Sequence, residues 1–368
     1  MLMNIRVIPA SPGDSILISY AYKGSKKNIL IDGGIGETYY GYLSDILHEI
    51  KNSGEYIDLL IVTHVDYDHI EGICRWFEDE ECDKDIIKQV WFNSGEVISE
   101  YFNSHISEEL QIKLLNMKDT KQSVSQGITL EKKLNELGCW EKNIISAGKV
   151  YNELPGIKIT VLSPGIKRLE KLNKKWEVEV DNSTEMGVQV DYNKPIKELL
   201  KNKFVQDTSI ANGSSIAILL QYETNGNDAV KLEKQYKNII LAADAFPSEI
   251  IKTLKEIGYC KEKKLSLELL KVSHHGSKAN TNKKFLEIIK CDNFIISSDA
   301  STHGLPNKEC LARIIDSSNK TTNLYFNYNY VKQKRIFSED DYKEYKFKCY
   351  EMEEGKPYPI NKEVVLWI

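Results

Sequence analysis

Short apolar runs broken by turn residues dominate the first sixty positions of the chain. Runs of this kind, rich in Ile, Val and Leu, are typical of β-strands, and the predicted strands are residues 5–8, 15–20, 28–31 and 59–62. The third run ends in Asp32-Gly33-Gly34, which is a turn signal. Residues 42–50 instead repeat apolar positions at helical spacing. Strands mixed with a helix predict a layered α/β or α+β domain.

A second strand-rich half begins near residue 157, and its predicted strands are residues 157–162, 215–220 and 238–241. Residues 100–148 and 166–210 are polar, so we expect two exposed insertions that shape the rim of a site. We predict a single domain over residues 1–368, with a C-terminal extension after about residue 330. The tyrosine-rich residues 325–330 favour an edge strand over a stacking platform for bases.

Composition narrows the class of protein without defining its substrate. The 368 residues are 41% hydrophobic and carry a net charge of −5, which fits a globular core and argues against a protein that mainly coats nucleic acid. No apolar run reaches the ~20 residues of a membrane span, and the N-terminal residues do not resemble a signal peptide. The seven scattered cysteines form no Cys-x-x-Cys pair, which is typical of reduced thiols. We therefore expect a cytoplasmic protein without a thiolate zinc site.

The segment THVDYDHIEGI, residues 63–73, is the strongest chemical signal in the sequence. It places His64, Asp66, Asp68 and His69 directly after the apolar run 59–62. Side chains at the carboxyl end of a buried strand can share a crevice. A lone histidine there would be an ordinary loop residue, but four acids and imidazoles within six positions favour a site for two metal ions.

Two later apolar runs also end in ligand-type residues. Residues 239–243 lead to Asp244, and residues 269–272 lead to His274 and His275. Taken alone, Asp244 could equally be the N-cap of a helix after Pro247, and the histidine pair could merely cap a loop. Together with residues 64–69, Asp244 could bridge two metal ions and one histidine of the pair could complete the second ion's ligands.

In these motifs the sequence resembles the metallo-β-lactamase superfamily, and within it the hydrolase domain of ComEC-type DNA-uptake (competence) proteins. The superfamily pattern has an aspartate after an early strand, here Asp32, and the competence branch writes its ligand cluster as His-x-Asp-x-Asp-His, as in residues 64–69. Further matching positions are Gly13, Asp14, Ser15, Asn212, Ser215, Asp244, residues 270–277, His303 and Pro306.

This resemblance implies an α+β metallo-β-lactamase fold, an αββα sandwich of two mixed sheets flanked by helices. It implies two divalent metal ions, Mn²⁺ or Zn²⁺ with Mg²⁺ as a further candidate, and the ligands His64, Asp66, Asp68, His69, Asp244 and one of His274 and His275. Asp32, Asn212 and Ser215 would support these ligands. Asp68 would also orient a hydroxide activated by the metals, while Lys271, His303 or the non-ligating histidine would protonate a leaving oxygen.

The sequence departs from the superfamily pattern between the cluster and Asp244. Many members have a further histidine ligand there, whereas the only histidine in this interval is His105, in a polar stretch. Asn93, Ser94 or water could fill the position. The membrane channel of the uptake proteins is absent from the sequence, so a role in DNA uptake does not carry over.

The predicted function depends on the residue type at Asp66. A carboxylate in place of an imidazole adds a hard oxygen donor and a negative charge, which favours manganese or magnesium over zinc. Oxygen-rich sites for two metals suit phosphoryl transfer, so a phosphodiesterase or nuclease leads, with a nucleic acid, a nucleotide or another phosphodiester as substrate. The alternatives are hydrolysis of a carbon ester, lactone or thioester, and a subunit that binds a protein partner through a vestigial site. The oligomeric state stays open.

Overall fold

The structure, a computed structural model, describes residues 3–104, 122–140, 142–177, 190–224, 235–318 and 320–351. These residues form mixed β-sheets with helices packed on them, an α+β arrangement. Within these ranges, no helix combines the length and apolar character that a membrane crossing requires.

The first sheet, as far as the described residues go, has five strands in sequential order. They are β1 Met3–Val7, β2 Ile16–Tyr22, β3 Ser25–Ile31, β4 Leu59–Val62 and β5 Val90–Phe92. The first three strands are antiparallel neighbours, whereas β3, β4 and β5 run parallel. All four strands predicted in this half of the chain form, within a few residues of the expected bounds.

The second sheet has eight strands among the described residues. They are β6 Val150–Tyr151, β7 Ile157–Ser163, β8 Ala217–Thr224, β9 Gln235–Leu241, β11 Leu269–Lys271, β13 Asn293–Ile296, β14 Thr322–Phe326 and β15 Phe347–Glu351. Their order in the sheet is β15-β14-β13-β11-β9-β8-β7-β6. From β9 to β15 the neighbours are parallel, while β6 to β9 are antiparallel. A separate parallel pair joins β10 Leu265–Leu267 to β12 Ile289–Cys291.

The helices of the described ranges lie mostly between strands. They are Gly36–Thr38, which continues as the π-helix Tyr39–Leu43 into Ser44–Asn52, then Tyr67–Glu78, Gly95–Tyr101, Gln122–Leu137, Ile166–Glu177, Ile196–Leu199, Ile210–Gly213, Pro247–Glu256, the 3₁₀ turn His274–Gly276, Lys283–Ile288, Lys308–Asp316 and Glu339–Glu344. The helix predicted over residues 42–50 is therefore present. Its exposed His48 faces solvent.

Alternation along the strands divides the interior into three apolar cores. Ile29 and Ile31 of β3 belong to a central core that also contains residues of the second sheet such as Ile239. Leu30 points the other way, into a core shared with helices Ser44–Asn52 and Tyr67–Glu78. Ile240 likewise faces a third core, with helices Pro247–Glu256 and Lys308–Asp316. The period of two in a strand thus turns alternate side chains of one strand toward different cores.

The segment 166–210 contains buried side chains, because Leu169, Leu172, Ile196 and Leu199 belong to the two cores that contain helices. After residue 330, β15 adds a strand to the second sheet. One expectation from the sequence is therefore wrong: β14, which contains part of the tyrosine-rich tract, has a strand on each side and is not an edge strand.

Glycines let the helix that follows β4 approach the turns beside it. A side chain at Gly72 would place its Cβ 2.0 Å from the carbonyl oxygen of Gly33, and one at Gly13 would meet the carbonyl oxygen of Asp68 at 1.7 Å. Both contacts are too short for any residue with a Cβ. Glycine at these positions therefore holds helix Tyr67–Glu78 against the turns that carry Asp14 and Asp32.

Candidate metal centre

The candidate site lies where parallel strands of the two sheets end. Asp32 follows β3 and His64 follows β4, while Asp244 comes three residues after β9 and the histidine pair three residues after β11. Carboxyl ends of parallel strands meet at one edge of a sheet, where ligands usually bind. Residues from four separate parts of the sequence are thereby brought together.

The backbone turns sharply at these strand ends. Asp32, Ala243, His274 and His275 have φ values of 57°, 43°, 49° and 51°. This left-handed conformation is uncommon for residues with a side chain, and it tends to concentrate at functional sites. At the histidine pair it directs two consecutive imidazoles to the same carboxylate, because Nε2 of His274 and Nε2 of His275 lie 3.7 Å and 3.6 Å from Oδ2 of Asp244.

The segment from His64 to His69 spans a strand end and a helix start. Asp66 is the N-cap residue of helix Tyr67–Glu78, but its side chain accepts no capping hydrogen bond from the helix. Asp68 and His69 lie in the first turn of that helix. The Asp66 carboxylate is therefore available to a ligand and is not used to satisfy the helix N-terminus.

Four donor groups converge at the more buried part of the site, and we call Asp68, His69, Asp244 and His275 the inner cluster. Nε2 of His275 lies 3.3 Å from Nε2 of His69 and 3.3 Å from Oδ2 of Asp68. Nε2 of His69 lies 3.5 Å from Oδ1 of Asp244 and 3.9 Å from Oδ2 of Asp68.

Asp244 also faces a second group, which we call the outer cluster: His64, Asp66, Asp244 and His274. Nε2 of His64 lies 3.5 Å from Oδ2 of Asp66 and 4.0 Å from Oδ2 of Asp244. The side chains of Asp66 and His274 are 33% and 27% exposed. This cluster therefore opens to solvent, whereas His69 and His275 do not.

The geometry fits divalent metal ions. Ligands at ~2.1 Å from a tetrahedral ion lie ~3.4 Å apart, and the inner-cluster separations given above are of this size. Within the described residues, Nε2 of His64 and Oδ1 of Asp244 are buried and make no hydrogen bond. Buried polar atoms without a partner are costly, so a cation between these donors would satisfy them.

The electrostatics of the site also attract positive charge. Burial disfavours the imidazolium form of His69, but the carboxylates of Asp244, Asp68 and Asp32 raise its pKa well above the ordinary value. Burial opposes protonation of His275 too, yet Asp244 and Asp14 raise its pKa to about 9. The carboxylates therefore need cations, which are protons when no metal is bound and can be metal ions otherwise.

Each of the four histidines has its Nδ1 held by an oxygen, which turns Nε2 toward Asp244. His64 donates to Oγ1 of Thr63 at 3.0 Å and His69 to Oδ2 of Asp32 at 2.8 Å. His275 donates to the carbonyl oxygen of Ser297 at 3.0 Å, and His274 to Oδ1 of Asn280 at 3.0 Å. Metal-binding histidines are commonly oriented by such outer partners.

Asp32 and Asn212, which the resemblance implies as supports, each contact a histidine of the candidate site. Asp32 accepts hydrogen bonds from the backbone and the hydroxyl of Thr63 at 2.8 Å and 2.7 Å, in addition to its contact with His69. Nδ2 of Asn212 lies 3.3 Å from Nδ1 of His274. Ser215 is buried, and its hydroxyl makes no hydrogen bond within the described residues.

Lys271 and His303 lie in very different surroundings. Lys271 is fully buried, forms an ion pair with Asp14 and donates to the carbonyl oxygen of Ala243 at 3.3 Å. Because its ammonium is enclosed, the role expected for Lys271 in protonating a leaving oxygen does not fit this position. His303 is exposed and makes no hydrogen bond or ion pair with another described residue. Its loop packs against the residue that follows the histidine pair, since Pro306 lies beside Gly276 and the backbone N–H of Asn307 donates to the carbonyl oxygen of Gly276 at 3.0 Å.

Asn93 and Ser94, which could replace the missing histidine ligand, instead form hydrogen bonds with backbone groups. The amide of Asn93 donates to the carbonyl oxygen of Ile145 and accepts from its backbone N–H, both at 2.8 Å. Ser94 caps helix Gly95–Tyr101 through Val97. His105 lies outside the described residues.

The sequence gives no role to three residues beside the site, which are Asp14, Asp207 and Asn280. Asp14 offers a ligand atom that lies within 4.8 Å of ligand atoms of His69, Asp244 and His275. Asp207 and Asn280 contact Nδ1 of His274. In the sequence, Asp14 stands out only as part of the matching positions Gly13-Asp14-Ser15. Asp207 and Asn280 lie in polar segments without a distinguishing pattern.

Comparison with known proteins supports part of this assignment. The sequence model of the metallo-beta-lactamase superfamily matches residues 9–84, which include Asp14, Asp32 and the segment from His64 to His69. A search of curated proteins finds no match to the chain. The superfamily match points to a metal-dependent hydrolase, and the buried Asp and His cluster fits a divalent metal site.

Proposed function

We propose that the protein is a phosphodiesterase or nuclease that uses two divalent metal ions held by the inner and outer clusters. The proposal includes the αββα sandwich of the metallo-β-lactamase fold, which agrees with two sheets that share a central core and carry helices on their outer faces. It also includes the similarity to ComEC-type hydrolase domains, which rests on the motifs of the sequence.

The inner cluster would bind one ion through Asp68, His69 and His275, and the outer cluster the other through His64 and Asp66. Asp244 faces both clusters and would be shared. Two divalent cations at such a site act as Lewis acids and lower the pKa of bound water.

The observation that carries the proposal is Asp66. Its carboxylate lies 3.5 Å from Nε2 of His64 and does not cap its helix. With Asp68 and Asp244 it makes three carboxylates beside the histidines. Hard oxygen donors favour Mn²⁺ or Mg²⁺ relative to a histidine-rich zinc site, and these ions are suited to phosphate oxygens.

The remaining residues would position ligands and substrate. Asp32 orients His69 through its Nδ1. Asp14 and Lys271 form a buried ion pair behind His275. His303, on an exposed loop beside the histidine pair, is free to contact the leaving oxygen of a substrate. Asp68, in the first turn of its helix and 19% exposed, would orient the attacking water.

An activity screen tests the proposal. Protein stripped of metal would be supplied with Mn²⁺, Mg²⁺ or Zn²⁺ and assayed with bis-p-nitrophenyl phosphate, then with DNA, RNA, cyclic nucleotides and lipid or cell-wall phosphodiesters. We expect metal-dependent phosphodiester cleavage that Asp244→Ala abolishes. The matched control is Asp45→Ala, an exposed aspartate on the helix Ser44–Asn52.

The same screen separates the alternatives. Turnover of a lactone or thioester panel, without phosphodiester cleavage, would identify a carbon-ester hydrolase. Less than one bound ion and no turnover of any substrate would identify a partner-binding subunit. Either result contradicts the proposal.

A further inference from the structure

The outer cluster has few protein donors if only one histidine of the pair binds metal. His64, Asp66 and Asp244 would be its ligands, and Asp244 is shared with the inner cluster. Among the described residues, Asn93 and Ser94 do not supply a further ligand, because their side chains form hydrogen bonds with backbone groups. The next donor beside Asp244 on this side is His274.

His274 points the correct atom at the shared carboxylate. Its Nε2 lies 3.7 Å from Oδ2 of Asp244, and Nε2 of His64 lies 4.0 Å from the same oxygen. The ring centroids of His274 and His275 are 5.8 Å apart and nearly perpendicular, at 78°. The two imidazoles therefore approach Asp244 from different directions and do not compete for one position.

Polar contacts from Asn280 and Asp207 fix the orientation of the His274 ring. Nδ1 lies 3.0 Å from Oδ1 of Asn280 and 3.3 Å from Oδ2 of Asp207. Asp207 is held in turn by the backbone N–H of Ser209 at 2.8 Å and by the amides of Asn212 and Asn280 at 2.8 Å and 3.1 Å. Two oxygen acceptors therefore face Nδ1, beside Nδ2 of Asn212 at 3.3 Å. The nearest of these groups is an acceptor, so Nδ1 carries the proton and Nε2 presents its lone pair to the site.

This arrangement repeats that of the other three histidines of the site, whose Nδ1 atoms are also held by oxygen. We propose, as an extension of the proposed function, that both histidines of the pair bind metal. His275 belongs to the inner ion and His274 to the outer ion, where it stands with His64 and Asp66. Asp207 and Asn280 are its positioning residues.

Metal stoichiometry tests the inference independently of activity. Stripped protein would be loaded with Mn²⁺ or Co²⁺, freed of excess ion, and measured by plasma mass spectrometry and, for Co²⁺, by its visible spectrum. We expect two ions in the native protein and one in His274→Ala and in His274→Asn. Asp207→Asn leaves the imidazole in place, and we expect it to weaken the outer ion by about 10- to 100-fold.

Two histidines provide matched controls. His48→Ala, on an exposed helix position, and His105→Ala should both retain two ions. Circular dichroism melts of all variants would establish that each is folded.

Each contrary result has a distinct meaning. Two ions bound at native affinity in the His274 variants, even with activity lost, would assign His274 to substrate contact and overturn the inference. Loss of one ion in His105→Ala would do the same, because His105 would then be the outer ligand. A native protein that binds a single ion also refutes it. A native protein that binds none refutes the proposed function as well.

Discussion

Oδ2 of Asp32 lies 2.8 Å from Nδ1 of His69, and both side chains are completely buried. The same carboxylate receives the backbone N–H and the hydroxyl of Thr63, the residue before His64. One aspartate therefore sets the position of candidate ligand residues at the end of a strand and at the start of a helix.

The first prediction concerns this contact. Asp32→Asn keeps the size of the side chain but removes its charge and can present an N–H to His69. We expect metal affinity to fall by about 10- to 100-fold, because the imidazole loses the partner that orients it. Titration calorimetry with Mn²⁺ measures the change. Asp45→Asn, at an exposed position, is the control, and equal affinity in the two variants would contradict the role given to Asp32.

The second prediction concerns the buried ion pair of Lys271 and Asp14. Lys271→Met leaves the Asp14 carboxylate enclosed without its cation, and removing one partner of a buried pair costs about 3–5 kcal/mol. We expect urea unfolding in the presence of EDTA to report a loss of this size. The double variant Asp14→Asn/Lys271→Met should recover a substantial part of it.

A solvent-exposed ion pair serves as the control for the unfolding experiment on Lys271. Lys343 and Asp340 form an ion pair whose side chains are 68% and 82% exposed. Lys343→Met should change the free energy of unfolding by no more than about 0.5 kcal/mol. If Lys271→Met lowered the free energy of unfolding by no more than Lys343→Met does, the buried ion pair would not stabilise the fold as its burial implies.

Local patterns in the sequence predicted many of the side chains that meet at the candidate site. His64, Asp66, Asp68 and His69 lie within six positions, and the end of an apolar strand indicates where their side chains meet. Asp244 and the histidine pair follow the same rule. Each of these signals is contained in a short segment, so the sequence reveals it directly.

Other features depend on contacts between distant segments. The ion pair of Asp14 and Lys271 joins positions 257 residues apart, and it exists only because the turn before β2 meets the end of β11. The contact of Asp207 with Nδ1 of His274 depends on how the polar segment that contains Asp207 runs through the fold. The prediction of an edge strand in the tyrosine-rich tract is wrong because the pairing of β15 with β14 depends on tertiary packing, which strand propensity does not determine.

The third prediction is a difference in pH dependence between metal-free and metal-loaded protein. Burial lowers the pKa of His275, but Asp244, Asp14 and Asp68 outweigh it and raise the pKa to about 9, compared with about 6.5 in an unfolded chain. A raised pKa in the folded state adds stability that is fully present below pH 6.5. That stability is lost as the pH rises through about 9.

Urea midpoints between pH 6 and 10 check this expectation. In EDTA the midpoint should fall across the window from about pH 6.5 to 9, because there the folded metal-free site still binds a proton that the unfolded chain has already released. With saturating Mn²⁺ the fall should be much smaller, since the ions replace the protons as partners of the carboxylates. Parallel curves with and without metal would show that the histidines are not the groups responsible.

The last prediction is a metal preference that follows from Asp66. The site offers the carboxylates of Asp66, Asp68 and Asp244, so its donors are harder and more negative than those of a histidine-rich zinc site. Zinc can still bind more tightly, because it stands above manganese in the general order of affinities, and activity is therefore the better measure. We expect Mn²⁺ to restore more phosphodiester cleavage to the stripped protein than Zn²⁺ does. Asp66→His should narrow or reverse that order by supplying a softer nitrogen donor, whereas Asp66→Ala should lose both metal and activity. The native protein and Asp66→His would be assayed side by side over a range of each metal. If Zn²⁺ were the better activator of both, Asp66 would not set the metal, and the argument from its carboxylate to phosphoryl chemistry would fail.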